Sequence, residues 1–90
     1  MTDALTLPER LDLTAAKPLA RDLAAMTGAI RLDASGVTHL GGLCLQVLLG
    51  AARGCRASGR GFSITDRSPD FDAALALFGV DLELLAEEAG

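Results

Sequence analysis

The chain reads as an α/β domain, and three observations predict it. Across residues 30–64 a short apolar run, a glycine-marked turn, a helix-length apolar stretch, a glycine break and a second short apolar run follow one another. That is the pattern of a strand–helix–strand crossover between parallel strands. Half of the residues are hydrophobic, yet the aromatics are three Phe. The core must therefore be Leu, Val, Ile and Ala, which suits helices laid on a small sheet. Helical periodicity also recurs before and after the crossover. Ninety residues make one domain, 1–90. A chain of this size buries about 60–65% of its unfolded surface, enough for a core but not for a deep enclosed cavity as well.

Residues 4–7 and 11–13 predict two short strands joined by a turn at Pro8, Glu9 and Arg10. Thr14 is read as the N-cap of a helix over 15–27, with Pro18 in its first turn. Ala16, Leu19, Ala20, Leu23 and Met26 form its apolar stripe, and Gly28 ends it. Residues 30–33 are the first crossover strand, mostly apolar, as expected of a strand covered on both faces. Gly41 and Gly42 open a helix over 43–58, with Leu45, Leu48, Leu49, Ala52 and Cys55 inward. Gly59, Arg60 and Gly61 break it, and 62–65 is the returning strand. Ser68, Pro69 and Asp70 start a helix over 69–78, whose buried face is Phe71, Ala74, Leu75 and Phe78. A last helix over 82–88 turns Leu82 and Leu85 inward and Glu83, Glu87 and Glu88 outward. The expected architecture is thus a small mixed sheet of four to five strands with four helices.

Charge and composition narrow the function. Twelve acids oppose eight bases, a net charge of −4. There is no basic stripe for nucleic acid and no Tyr or Trp on which single strands could stack. Arg53, Arg56, Arg60 and Arg67 are read as solvated. No apolar run reaches the ~18–20 residues of a membrane span, so direct membrane insertion is not expected. Nor does the start of the sequence show a basic region followed by an apolar one, so a cytoplasmic location is expected. Cys44 and Cys55 fall on one helix, eleven residues and about 16 Å apart, too far for a disulfide. With one His they make no zinc set, so neither metal nor cofactor is expected.

Candidate sites cluster at the turn before the long helix. His39 has no Ser, Cys or Asp partner at a recognisable spacing and is read as structural, so no catalytic residue is assigned. A second stripe, Leu43, Val47, Gly50 and Gly54, is apolar where it has side chains and bare where it has glycine. It either packs under a neighbouring helix, offers a shallow surface to a partner helix, or buries itself in a homodimer. A reading from another class is a nucleotide-binding regulator or enzyme, using the helix N-terminus at Gly41-Gly42 with Asp33, Ser35, Thr38 and His39. Neither GxxxxGK[ST] nor GxGxxG is present to support it.

Several local signatures stand in order along the chain: Leu11-Asp12-Leu13-Thr14 before the first helix, and Leu32-Asp33-Ala34-Ser35-Gly36-Val37 at the end of a strand. Leu45-Gln46-Val47-Leu48-Leu49 follows in the second helix, and Ser68-Pro69 and Leu77-Phe78-Gly79-Val80 flank the third. Together they resemble the STAS domain of bacterial anti-sigma-factor antagonists, over almost the whole chain. The resemblance implies a STAS-like fold and a non-enzymatic protein-interaction module. Where the family commonly reads Asp-Ser-Ser-Gly-Leu, this chain reads Gly41-Gly42-Leu43-Cys44-Leu45. The family's phosphorylated serine corresponds to Leu43, which has no oxygen to phosphorylate, so the usual switch is absent. The resemblance places the partner surface on Thr38, His39, Leu40, Gly41 and Gly42, with Leu43, Cys44, Gln46, Val47 and Gly50 from the helix start and a rim that includes Arg53. It implies a protein partner: an anti-sigma factor of serine-kinase type, a chemotaxis or two-component signalling protein, or an ABC transporter to which the chain is an accessory subunit, as in phospholipid transport.

Overall fold

A computed structural model describes residues 4–80. The expected helix over 82–88 lies outside the described residues. In chain order the elements are β1 (Leu5–Thr6), β2 (Arg10–Leu11), α1 (Leu13–Ala25), β3 (Ile30–Asp33), β4 (His39–Leu40), α2 (Gly42–Ala57), β5 (Phe62–Thr65) and α3 (Pro69–Leu77).

The crossover over residues 30–64 forms as predicted. β3 and β5 lie side by side and parallel, with Ile30 opposite Phe62 and Asp33 opposite Thr65, and α2 connects them through β4. β1 joins the other edge of β3, also in parallel. β2 pairs with β4, not with β1, as a second, two-stranded parallel sheet. The expected single mixed sheet is therefore corrected to parallel sheets of three and two strands among the described residues. Pro8 explains part of this: it has no N–H and ends β1 just after Leu7 N–H reaches Asp33 O at 2.9 Å. Beyond it, Glu9 O accepts from Thr38 N at 2.7 Å, and Leu11 O accepts from Gly41 N at 2.8 Å. Those bonds draw the chain before α2 against β2 and create β4, a strand the local sequence does not announce.

α1 begins two residues earlier than expected. Asp12, not Thr14, is its N-cap: the carboxylate accepts from Thr14 N at 3.1 Å and from the Thr14 hydroxyl at 2.7 Å. Leu13 therefore belongs to the helix and not to a strand. Pro18 consequently lies in the helix interior and not in its first turn. The helix ends at Ala25 with Met26 as C-cap, short of Gly28. α2 and α3 end as their glycines suggest. Gly59 and Gly79 adopt φ of +74° and +72°. Arg60 N then bonds Cys55 O, and Val80 N bonds Leu75 O, each at or under 2.9 Å, the six-to-one bond of a Schellman cap.

The core fills the space between helices and sheet. Ala16, Leu19 and Leu23 from α1, and Cys44, Leu45, Leu48, Ala52 and Cys55 from α2, pack with Leu32, Phe62, Phe71 and Leu75. β3 alternates: Ile30 and Leu32 are buried while Arg31 is exposed. The strand is thus covered on one face, not both, because the described helices leave the other face uncovered. Arg60 and Arg67 are also tied down and not simply solvated. Arg60 donates to the carbonyls of Gly28 (2.7 Å) and Met26 (3.0 Å), and Arg67 pairs with Asp72 at 2.9 Å. Phe78, expected on the buried face of α3, is 45% exposed because it caps the helix at its outer end.

Candidate functional site

The N-termini of α1 and α2 lie side by side. Gly41 is the N-cap of α2 and has no side chain with which to cap it. A Cβ there would stand 3.2 Å from Leu11 O, so the approach of β2 to this turn favours glycine. One residue on, a Cβ at Gly42 would stand 3.6 Å from the Phe78 ring. Gly41 thus lets β2 close in on the start of α2, while the Phe78 ring stands at ordinary contact distance from Gly42.

A hollow of about 440 Å³ results, lined by Asp12, Leu13, Thr14, His39, Gly41, Gly42 and Leu43. Three large apolar side chains stand exposed around it: Leu13 at 76%, Leu43 at 46% and Phe78 at 45%. Single exposed leucines are ordinary on a protein surface. Three around one hollow in so small a domain form a patch of the kind that marks an interaction site.

Asp12 is the charged group of the hollow. The Thr14 hydroxyl bond, first, and the backbone N–H groups of Ala15 and Thr14 hold its carboxyl below the usual value. It is therefore ionised near neutrality, at the mouth of the hollow, where it disfavours a phosphate at the α2 N-terminus. Cys44 lies beneath, fully buried, its thiol donating to Asp12 O at 3.2 Å. Burial, and then the Asp12 charge, push that thiol upward, so it stays protonated. Asp33 and Ser35 do not line this hollow: the Asp33 carboxylate accepts from Ser35 N at 2.9 Å, which lowers its pKa. The polar set proposed for catalysis is therefore not assembled around His39.

The structure divides the expected surface. Gly41, Gly42, Leu43 and His39 line the hollow, and exposed Thr38 beside them donates its hydroxyl to Glu9 O at 3.1 Å. Leu40 and Cys44 are buried in the core, which takes their side chains out of a contact surface. Gln46, Val47 and Gly50 line a different depression of about 410 Å³ between α1 and α2, with Ala20, Ala24, Gly54 and Arg60 among its other residues. Sequence pattern alone does not single out Asp12, Leu13 and Phe78, because it places Leu13 in a strand and Phe78 on the buried face of a helix. The adjacent cap-type residues Asp12 and Thr14 were the available signal: choosing the first as the cap puts Leu13 on the outer first turn of a helix.

A family model described as "Mlab, STAS domain" matches residues 1–86 of the chain. No curated protein matches it. With the α/β architecture and parallel strands described above, a match over nearly the whole length assigns the chain to the STAS domain family.

Proposed function

We propose that the protein is a non-enzymatic docking module that holds one protein partner through the start of α2, and that it is not switched by serine phosphorylation at the position of Leu43. The observation that carries this reading is the exposed set Leu13, Leu43 and Phe78 around the bare Gly41-Gly42 turn. Leu43 occupies the position that STAS antagonists use for the phosphorylated serine. A phosphate there would bring about −1.5 to −2 charges into an apolar contact; leucine instead adds apolar area. Burying a leucine fully is worth about 1.5–3 kcal/mol. With 76% and 46% of these two leucines still exposed, docking would gain about 2–4 kcal/mol from them, before ordering costs.

Two partner classes fit. One is a bacterial signalling protein, an anti-sigma factor of serine-kinase type or a chemotaxis or two-component protein. The other is an ABC transporter to which the chain is a standing accessory subunit. Leu43 favours the second, since a permanent subunit needs no release, whereas an antagonist at this position is released by phosphorylation. A nucleotide-binding role finds less support, given the Asp12 carboxylate at the helix end.

The test is capture from native cytosolic and membrane extracts, with wild type beside Leu43→Asp and Leu13→Asp. One protein retained by wild type and lost with both variants, each still folded by circular dichroism, is the expected result, and its identity decides between the two classes. Equal retention by all three chains would place the docking surface elsewhere.

A further inference from the structure

The outer face of the two long helices carries one sign of charge. Lys17 and Arg21 each precede by three residues an alanine, Ala20 and Ala24, on the side of α1 that meets α2. On α2, Arg53 and Arg56 follow Gly50 in steps of three, and Arg60 stands at the helix exit. Lys17, Arg21, Arg53 and Arg56 are exposed, and Arg60 is half-buried. No single stretch of the sequence is basic, because the fold gathers these cations from two segments some thirty residues apart.

The acids of residues 4–80 lie elsewhere. Glu9 and Asp12 flank β2, Asp33 and Asp66 stand at the ends of β3 and β5, and Asp70 and Asp72 begin α3. Asp22, although on α1, faces β1, where it lines a small hollow with Leu5, Thr6 and Leu7. The ion pairs among the described residues are Arg10 with Asp12 and Arg67 with Asp72, so no carboxylate there neutralises the five cations of this face. The Arg60 guanidinium is already held in place. Its Nε donates to Gly28 O at 2.7 Å and its Nη2 to Met26 O at 3.0 Å, which leaves Nη1 without a partner among the described residues.

We propose that this face binds an acidic segment of a partner protein, whose carboxylates meet Arg53, Arg56 and Arg60, with Lys17 and Arg21 extending the positive field across α1. Guanidinium groups suit carboxylates, which they grip through two parallel hydrogen bonds. A membrane fits less well. The exposed large apolar side chains Leu13, Leu43, Leu77 and Phe78 belong to the starts of α1 and α2 and the end of α3, so this face offers a bilayer no apolar anchor. A nucleic acid fits less well too, since Phe62 and Phe71 are buried and Phe78 lies against Gly42, which leaves no ring here for a base to stack on. Leu43 and Arg53 are about 15 Å apart along α2. The two surfaces are therefore separate, and this proposal does not rest on docking at the helix start.

Titration of the isotope-enriched full chain with a synthetic peptide of alternating Glu and Ser, at about 150 mM salt, tests it. The amide resonances of Arg21, Arg53, Arg56 and Arg60 should shift and saturate, while those of Leu13 and Leu43 stay in place. Arg53→Glu combined with Arg56→Glu should weaken binding by about tenfold or more, since two pairs become repulsions. Arg53→Ala combined with Arg56→Ala should weaken it by a smaller factor, and Leu43→Asp should leave it unchanged. Both arginines are exposed, so β3 and β5 amides should keep their shifts in each variant. The proposal is overturned if the peptide shifts another surface or none, or if both double variants bind it as wild type does. It is equally overturned if phosphatidylglycerol vesicles or duplex DNA shift the same amides at lower concentration than the peptide.

Discussion

Replacing Ser68 by alanine should destabilise the domain far more than an ordinary helix cap does. Ser68 is 8% exposed, and its hydroxyl works in both directions. It accepts from Phe71 N at 3.0 Å as the N-cap of α3, and it donates to the carbonyl of Val37. Its own N–H also reaches Ala34 O at 3.1 Å. The start of α3 is thereby fixed to the loop that runs through Val37 into Thr38 and His39, at the edge of the candidate site. Alanine loses the cap, worth about 1 kcal/mol, and leaves a buried carbonyl without its donor, which costs about 1–3 kcal/mol. The total, about 2–4 kcal/mol, is a large share of the roughly 5–13 kcal/mol expected for ninety residues. With a urea slope near 1 kcal/mol/M for a chain this small, the midpoint should fall by about 2 M or more. Ser68→Asp separates the two roles. Aspartate caps a helix as well as serine, but once ionised it cannot donate to Val37, so it should rescue little or nothing. Ser68→Thr keeps both bonds and should lose least. If Ser68→Ala shifts the midpoint by less than about 0.5 M, or if Ser68→Asp restores wild-type stability, the donation to Val37 carries none of the stability argued for it.

Pro18 stands in the interior of α1, exposed, where proline is about 3 kcal/mol poorer than alanine in an unconstrained helix. Pro18→Ala should therefore raise stability by about 1–3 kcal/mol, and a lower urea midpoint would show that Pro18 makes a compensating contact. Both cysteines are buried, so a thiol reagent should modify neither in the native state and both in denaturant. Rapid native labelling of either would contradict the packing under α2. The carboxyls of Asp12 and Asp33 have lowered pKa values when folded. Their contribution to stability is fully present above the unfolded value and is lost as pH falls through the lower folded value. A chain carrying Asp12→Asn and Asp33→Asn keeps both local hydrogen-bond acceptors. As pH falls below the ordinary carboxylate range, its urea midpoint should fall less steeply than that of wild type, and parallel curves would refute the assignment.

The elements that the sequence determined are those whose causes are local. β3 and β5 occupy the expected residues, because four-residue apolar runs bounded by turn residues have one natural reading. α3 starts at Ser68-Pro69 because cap and N1 proline are adjacent in sequence. α2 stops short of Gly59, where the left-handed conformation that closes the helix suits glycine. The family was legible too, since its motifs are short and ordered. Tertiary structure alone decided the partners of the two-residue strands: β2 and β4 exist because Glu9 and Leu11 carbonyls meet N–H groups some thirty residues away. It also decided which leucines face outward. Leu13, Leu40 and Leu43 are alike in sequence, yet Leu40 is 4% exposed and Leu13 76%. That difference is set by what packs across from each residue, a non-local quantity that periodicity within one segment does not contain. The candidate site is made of such residues, gathered from the ends of β2, α1, β4, α2 and α3, and so its position was readable from the turn at Gly41-Gly42 while its apolar rim was not.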